Sequence, residues 1–257
     1  MVTATPDSDL CAIEKLRDQE LEEARMIHSS MFPSRPLHEF DVVISHEFQP
    51  IAQVGGDFLD YFSLADGTIG LYVGDVSGKG LPAALYAALA IGTLRGIHKT
   101  GQRPNRVLSL LNERLHLREI PARHACIQYA LFYPATGEMV ISSAGMPGPF
   151  LVRGHECQAL QLAGIPTGLF AGVTYDELCL QLRPGDSVLF CSDGVTEARN
   201  KDDQEFGIDA VQELCRRHAS DPPLELLANT FAAIEEFTRD CPQYDDITAT
   251  VFQYCQH

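Results

Sequence analysis

The chain is expected to be an α+β protein built on antiparallel sheets, and three observations point there. Short β-patterned runs follow one another directly, separated by turns such as Ala135-Thr136-Gly137, Met146-Pro147-Gly148 and Pro184-Gly185-Asp186. Helical patterns come grouped, 81–97 with 104–118 and 207–218 with 223–238. The strict strand-helix alternation that builds a parallel sheet is missing.

Taken in order, residues 8–31 predict one helix, with Ser8 or Asp9 as N-cap and no glycine or proline before Pro33. Its apolar stripe of Leu10, Ile13, Leu21, Ala24, Ile27 and Met31 is incomplete and broken by Arg17. That pattern fits a coiled-coil or docking helix, hence a homodimer or a regulatory partner, with packing on its own domain as the alternative. Pro33 and Pro36 mark a boundary, so the expected organisation is a helical extension, 1–36, before a main domain, 37–257. Strands follow at 42–45, 58–62 and 69–73, the last two joined through Ala65-Asp66-Gly67-Thr68. The Ala- and Leu-rich stretch 81–97 predicts a buried helix that accepts Pro82 in its first turn and weakens at Gly92 and Gly96. A second helix, 104–118, carries Val107, Leu108, Leu111 and Leu115 at helical spacing. Strands are then expected at 124–133, 138–144, 148–153, 158–162, 176–182 and 187–192, helices at 207–218 and 223–238, and a last strand at 246–254.

Composition removes several function classes. With 257 residues, 45% of them hydrophobic, the chain can bury a large core. Thirty-five acidic against 19 basic residues give a net charge of −16, which opposes a phosphate backbone, so no nucleic-acid partner is expected. No apolar run approaches the roughly 20 residues of a membrane-spanning helix. The first residues show no basic segment followed by an apolar one, and a cytoplasmic location is expected. None of the eight cysteines forms a CxxC pair; Cys191, inside Ser187-Val188-Leu189-Phe190-Cys191, is expected to be a buried strand residue.

Four acidic sites share one setting: Gly55-Gly56-Asp57 before a strand, Asp75 after one, Ser192-Asp193-Gly194 after another, and Asp245-Asp246-Ile247-Thr248 leading into the last. Singly, each is a turn or cap former. Together, with glycines permitting close approach, they form a candidate site for a hard cation, because carboxylates without His or Cys suit magnesium or manganese. Clustered like charges repel and raise one another's pKa, so cations would stabilise them. Two ions about 3.5–4 Å apart can clamp a phosphate and activate water, which makes phosphate-ester hydrolysis the expected reaction. Competing motifs fail on detail. Gly74-Asp75-Val76-Ser77-Gly78-Lys79-Gly80 is one residue short of a P-loop and has Gly80 where Ser or Thr binds magnesium. Gly55-Gly56-Asp57-Phe58 resembles the signature of cyclic-dinucleotide synthases but lacks the acidic residue after Asp57. No G-x-S-x-G elbow surrounds Ser77, Ser143 or Ser192, and the nine histidines show no ligand spacing.

These motifs, with Ser143-Ala144-Gly145 and Pro166-Thr167-Gly168-Leu169, occur in an order that resembles the bacterial SpoIIE/RsbU-type branch of the PPM metal-dependent protein phosphatases, over about residues 40–254. The resemblance implies a four-layer α-β-β-α sandwich of two antiparallel sheets, two manganese or magnesium ions, and hydrolysis of phosphoserine or phosphothreonine on a protein such as a STAS-type anti-sigma-factor antagonist. By position, Asp75 resembles the metal-bridging aspartate and the Val76 carbonyl its neighbouring ligand. Asp57 resembles an early ligand acting through water, and Asp193 and Asp245 resemble the ligands of the other ion. Asp246 stands where relatives often have Asn and is given a secondary place. Ser77 replaces a histidine proposed as general acid in eukaryotic relatives, so no general acid is assigned. Met146 stands where this branch often has His and the wider family an Asp that binds a third ion; Glu197 matches only an auxiliary acidic position. No counterpart of the phosphate-binding arginine near the N-terminus is found. The helices at 81–97 and 104–118 resemble a switch that positions metal ligands. Other readings of the same residues are a catalytically silent binding module and a two-metal phosphodiesterase acting on a small molecule.

Overall fold

The structure, a computed structural model, describes residues 6–118 and 120–255, with side chains described from Ile13 onward. Ser8 and Asp9, read as caps, and Leu10 and Cys11 therefore lie outside the described side chains. Helix α1 (Pro6–Ser30) is already formed at Pro6, upstream of both candidate caps, and leads to β1 (Leu37–Glu39) and β2 (Val42–Gln49). β3 (Phe58–Ser63) and β4 (Ile69–Val76) make the expected hairpin, which Gly67 closes at φ 85°. Helices α2 (Leu81–Ile97) and α3 (Pro104–His116) follow, then β5 (Ala125–Tyr133), β6 (Glu138–Ala144), β7 (Phe150–Arg153), β8 (Glu156–Ala159), β9 (Leu178–Gln181) and β10 (Ser187–Cys191). A one-turn helix α4 (Asp193–Thr196), the pair α5 (Gly207–Arg217) and α6 (Pro223–Phe237), and strand β11 (Ile247–Tyr254) complete the order.

All strand pairings are antiparallel. One sheet has six strands in the order β1-β2-β11-β10-β7-β8, the other five in the order β3-β4-β5-β6-β9. The period-two alternation of β4 assigns its faces. Ile69, Leu71 and Val73 enter the core between the sheets with Val188, Phe190 and Phe252, whereas Tyr72 and Val76 join Ala87, Leu94, Leu108 and Leu111 beneath α2 and α3. On the far face of the six-stranded sheet, Leu189 and Val251 meet Val211, Cys215 and Leu227 of α5 and α6. The layers are therefore helix pair, sheet, sheet, helix pair, the α-β-β-α sandwich. Fully burying each such Val, Leu or Phe contributes about 1.5–3 kcal/mol, so three contiguous clusters supply most of the drive to fold.

Departures from the expected elements have local causes. β8 forms at Glu156–Ala159, ahead of the expected 158–162, because Gly154, at φ 59°, and His155 close a two-residue turn that pairs Arg153 with Glu156. β4 continues through Asp75 to Val76, where β5 pairs it down to Ala125, so Asp75 lies inside a strand instead of after one. β1 and α4, at three and four residues, are too short to leave a periodic signal. Ile13, Leu16, Met26 and Ile27 of α1 are exposed, whereas its last turn docks: His28 is buried against Phe32 and Phe48, and Arg95 of α2 donates to the Met31 carbonyl (2.6 Å) and to Asp60 Oδ2 (2.8 Å). Among the described residues no helix is long and apolar enough to cross a membrane.

Candidate active site

The site lies at one end of the sandwich, where the inner faces of the two sheets approach. Asp75 shares the phase of Val73 in β4, and Asp57 that of Leu59 in β3, so both carboxyls project between the sheets. From the facing sheet, Thr248 shares the phase of Phe252 in β11, and its hydroxyl donates to Asp57 Oδ2 at 2.5 Å. Asp193 opens α4, directly after β10, and Asp245 precedes β11, which pairs with β10 through Cys191 opposite Ala249. Residues separated by more than a hundred positions thus meet because β4 and β11 face each other across one core.

Asp246, given a secondary place by sequence, is 3% exposed and organises the loop that carries Asp57. Its Oδ1 accepts the Ile51 N–H (2.8 Å), and its Oδ2 accepts those of Gly56 (2.6 Å) and Asp57 (3.3 Å). The neighbouring glycines are required by close approach. A Cβ on Gly194 would stand 1.9 Å from the Asp246 carbonyl oxygen, and one on Gly56 would stand 2.8 Å from the Val76 carbonyl oxygen and 3.2 Å from Asp75 Oδ1. The Val76 carbonyl, a predicted ligand, therefore borders the same space as the Asp75 carboxylate.

The electrostatics are those of crowded carboxylates. Burial pushes the Asp57 carboxyl well up, and the charges of Asp75 and Asp246 push it further against the Thr248 hydrogen bond. Asp75 is raised to about 7, first by burial and then by Asp193 and Asp245, while a hydrogen bond with Asp57 offsets part of the shift. Asp193 is raised by burial and by Asp245, against the Gly194 backbone N–H. Burial, reinforced by Asp75 and Asp193, pushes the Cys126 thiol up to about 12; Cys126 sits opposite Asp75 in the β4-β5 register.

Other sequence-singled residues fall around this centre or outside it. Ser77 is tied to the segment before β5, its Oγ donating to the Ala122 carbonyl (3.1 Å) and accepting the His124 N–H (3.0 Å). Met146 is buried in the core between the sheets. Glu197 is raised by burial and then by Asp193. Cys191 is a buried strand residue, as expected. Lys79, noted in the sequence only within the rejected P-loop-like motif, places Nζ 3.2 Å from Asp245 Oδ2. Thr248 was legible only as part of the Asp245-Asp246-Ile247-Thr248 run, and Cys126 had no sequence signal.

The donor set is chemically suited to a hard divalent cation: buried carboxylates destabilise one another, and a cation between them would relieve that repulsion. Among the described residues no three His, Cys, Asp or Glu side chains already stand in an arrangement that could hold a metal ion. The Asp245 carboxylate is instead ion-paired with Lys79 through Oδ2. Beside this pair runs a cavity of about 830 Å³, lined by Lys79, Glu197, Arg199, Arg239, Tyr244 and Asp245 among others.

Two facing antiparallel sheets between helix pairs, with acidic residues gathered at one end, define the class of the PP2C-type, or PPM, protein phosphatases. Comparison with known proteins agrees. The sequence profile described as Stage II sporulation protein E (SpoIIE) matches residues 65–254. Phosphoserine phosphatase RsbU of Bacillus subtilis (strain 168) is 24% identical over 246 residues, covering 95% of this chain and 72% of that protein. The SiaA-PP2C domain of Pseudomonas aeruginosa superposes with a TM-score of 0.84 at 25% identity, over 94% of this chain and 98% of that one. The RsbU and RsbW domains of Rv1364c from Mycobacterium tuberculosis give 0.72 at 26% identity; the match covers 82% of this chain and 59% of theirs. This chain belongs to the SpoIIE family.

Proposed function

We propose that the protein hydrolyses phosphoserine or phosphothreonine on a partner protein, with Asp57, Asp75, the Val76 carbonyl, Asp193 and Asp245 holding two manganese or magnesium ions. The observation that carries this reading is the convergence of Asp57, Asp75 and Asp193 from both sheets with raised carboxyl pKa values. Ions of this kind, when bound, polarise a phosphoryl oxygen and supply a nucleophile from water near neutral pH. Asp75 is influenced by Asp57 as well as by Asp193 and Asp245, which supports its assignment as the bridging ligand. Thr248 orients Asp57, and Asp246 holds the loop beneath it. The Ser77 hydroxyl is engaged with the 122–124 segment, so no side chain is assigned to protonate the leaving group and solvent is given that role.

The substrate we favour is a phosphorylated STAS-type antagonist. That choice is supported by likeness to RsbU and to a protein whose RsbU and RsbW domains occur in one structure. Residues 1–36 would form an input or dimerisation element ahead of the phosphatase domain, 37–257, in a cytoplasmic protein; the exposed Ile13, Leu16 and Ile27 support that role. The test incubates the full chain and manganese with a phosphorylated antagonist, beside Asp75→Asn, Asp193→Asn and a form lacking residues 1–32. Loss of turnover in both Asn variants and an altered rate on truncation are expected. Full manganese-dependent turnover in either Asn variant would sink the ligand assignment.

A further inference from the structure

The acidic centre gathers several carboxylates, and a cation faces them. The Lys79 charge bears on Asp193, and its ammonium rests on Asp245. Arg199 is ion-paired with Asp203 and Glu205 and Arg239 with Glu236, whereas Arg123 donates to the neutral Ser77 carbonyl. A phosphate dianion arriving among Glu197, Asp193 and Asp245 needs a positive side chain as well as metal ions to offset their repulsion. The side chain of Lys79 is 49% exposed at the rim of the 830 Å³ cavity. Its backbone is flanked by Gly78 at φ 92° and Gly80 at φ 68°, and a Cβ on Gly80 would meet nothing within 4 Å. A Cβ on Gly78 would run into the Arg123 guanidinium, so the segment is open only on its Gly80 side, and the ammonium reaches from it on a flexible stem between the carboxylates and the cavity.

We propose that Lys79 is the phosphate-positioning residue of this phosphatase: its ammonium neutralises Asp245 in the cation-free site and passes to the substrate's phosphate oxygens when Asp245 takes up a metal ion. The inference rests on the metal-dependent phosphatase reading. Its physical basis is an exchange of partners. Were Asp245 to hold a divalent ion, the Lys79 ammonium would lose its counter-charge there, and an incoming phosphate would supply a new one.

The test titrates inorganic phosphate into the magnesium-saturated full chain by calorimetry, for the parent protein, Lys79→Met and Lys79→Arg, with magnesium titrated separately into the cation-free forms. Removing one charge-assisted contact is expected to weaken phosphate binding by about ten- to a hundredfold in Lys79→Met. Lys79→Arg is expected to retain most of it. Magnesium binding by Lys79→Met is expected to be equal or tighter, because the competing ammonium is gone. Unchanged phosphate affinity with weakened magnesium binding would overturn the proposal and make Lys79 only a prop for Asp245. A parent protein that binds magnesium and phosphate with the expected Lys79 dependence, yet turns over no phosphoester, would keep Lys79 as a phosphate-binding residue but sink the phosphatase reading and the positioning role that rests on it. A parent protein that binds no magnesium would overturn both.

Discussion

Asp246→Ala separates scaffold from ligand at the centre of the site. Asp246 is buried and accepts the N–H groups of Ile51 at 2.8 Å and Gly56 at 2.6 Å, with a longer contact to Asp57 at 3.3 Å. A hydrogen bond to a charged group contributes about 1.5–3 kcal/mol, so the two short ones amount to roughly 3–6 kcal/mol. Some of that is returned, because the substitution removes a charge that pushes up Asp57 and Asp75. A net loss of about 3 kcal/mol is expected, or roughly 6–12 °C in Tm for a chain of this size. Thermal and urea unfolding in EDTA, followed by circular dichroism, would read it without interference from metal binding. Asp246→Asn keeps one carbonyl acceptor and sheds the charge, so about half that loss is expected. If Asp246→Ala melted within about 2 °C of the parent protein, the loop around Asp57 would not depend on this carboxylate and the reasoning would be wrong.

Three further outcomes are expected. Gly56→Ala brings a Cβ to 2.8 Å from the Val76 oxygen and 3.2 Å from Asp75 Oδ1. It should cost about 1–3 kcal/mol in urea unfolding and weaken magnesium binding by calorimetry; an unperturbed variant would mean that the two segments are not in contact. In the cation-free protein, the Asp75 carboxyl, raised from 3.8 to about 7, stabilises the fold only while protonated. That contribution is complete below the unfolded value and is lost as pH rises through 7. Tm in EDTA should therefore fall across this window, Asp75→Asn should flatten the fall, and magnesium should restore stability at the alkaline end; an unchanged slope in Asp75→Asn would count against the assignment. Arg95→Ala removes the contacts to Asp60 and the Met31 carbonyl. Because Arg95 is partly exposed, a loss of only about 1 kcal/mol is expected, together with faster proteolysis between α1 and β1. Unchanged cleavage would show that the last turn of α1 is held by His28 and Phe32 alone.

Sequence by itself determined the kinds of element and most of their places, because the signals are local. The short apolar run 69–73, following the Ala65-Asp66-Gly67-Thr68 turn, reads as a strand, and Pro82 ahead of an Ala- and Leu-rich run opens a helix observed over Leu81–Ile97. The candidate acids were legible for the same reason: each interrupts an apolar pattern beside a glycine or at a strand end. The Gly154-His155 turn escaped because two residues between short edge strands leave little pattern to read.

Only the tertiary structure decided which strand ends meet and what each acid does there. Asp246 acquires its role from Gly56, 190 positions away, and Asp57 its orientation from Thr248, 191 positions away. Those pairings follow from two sheets burying their inner faces together. Packing energy selects that arrangement over the whole fold, and it acts on contacts that no window of sequence contains. The same holds for charge. A carboxylate's pKa depends on how much water and how many like charges surround it, so Asp57, Asp75 and Asp193 became mutually destabilising, and receptive to a cation, only once the sandwich had brought them together.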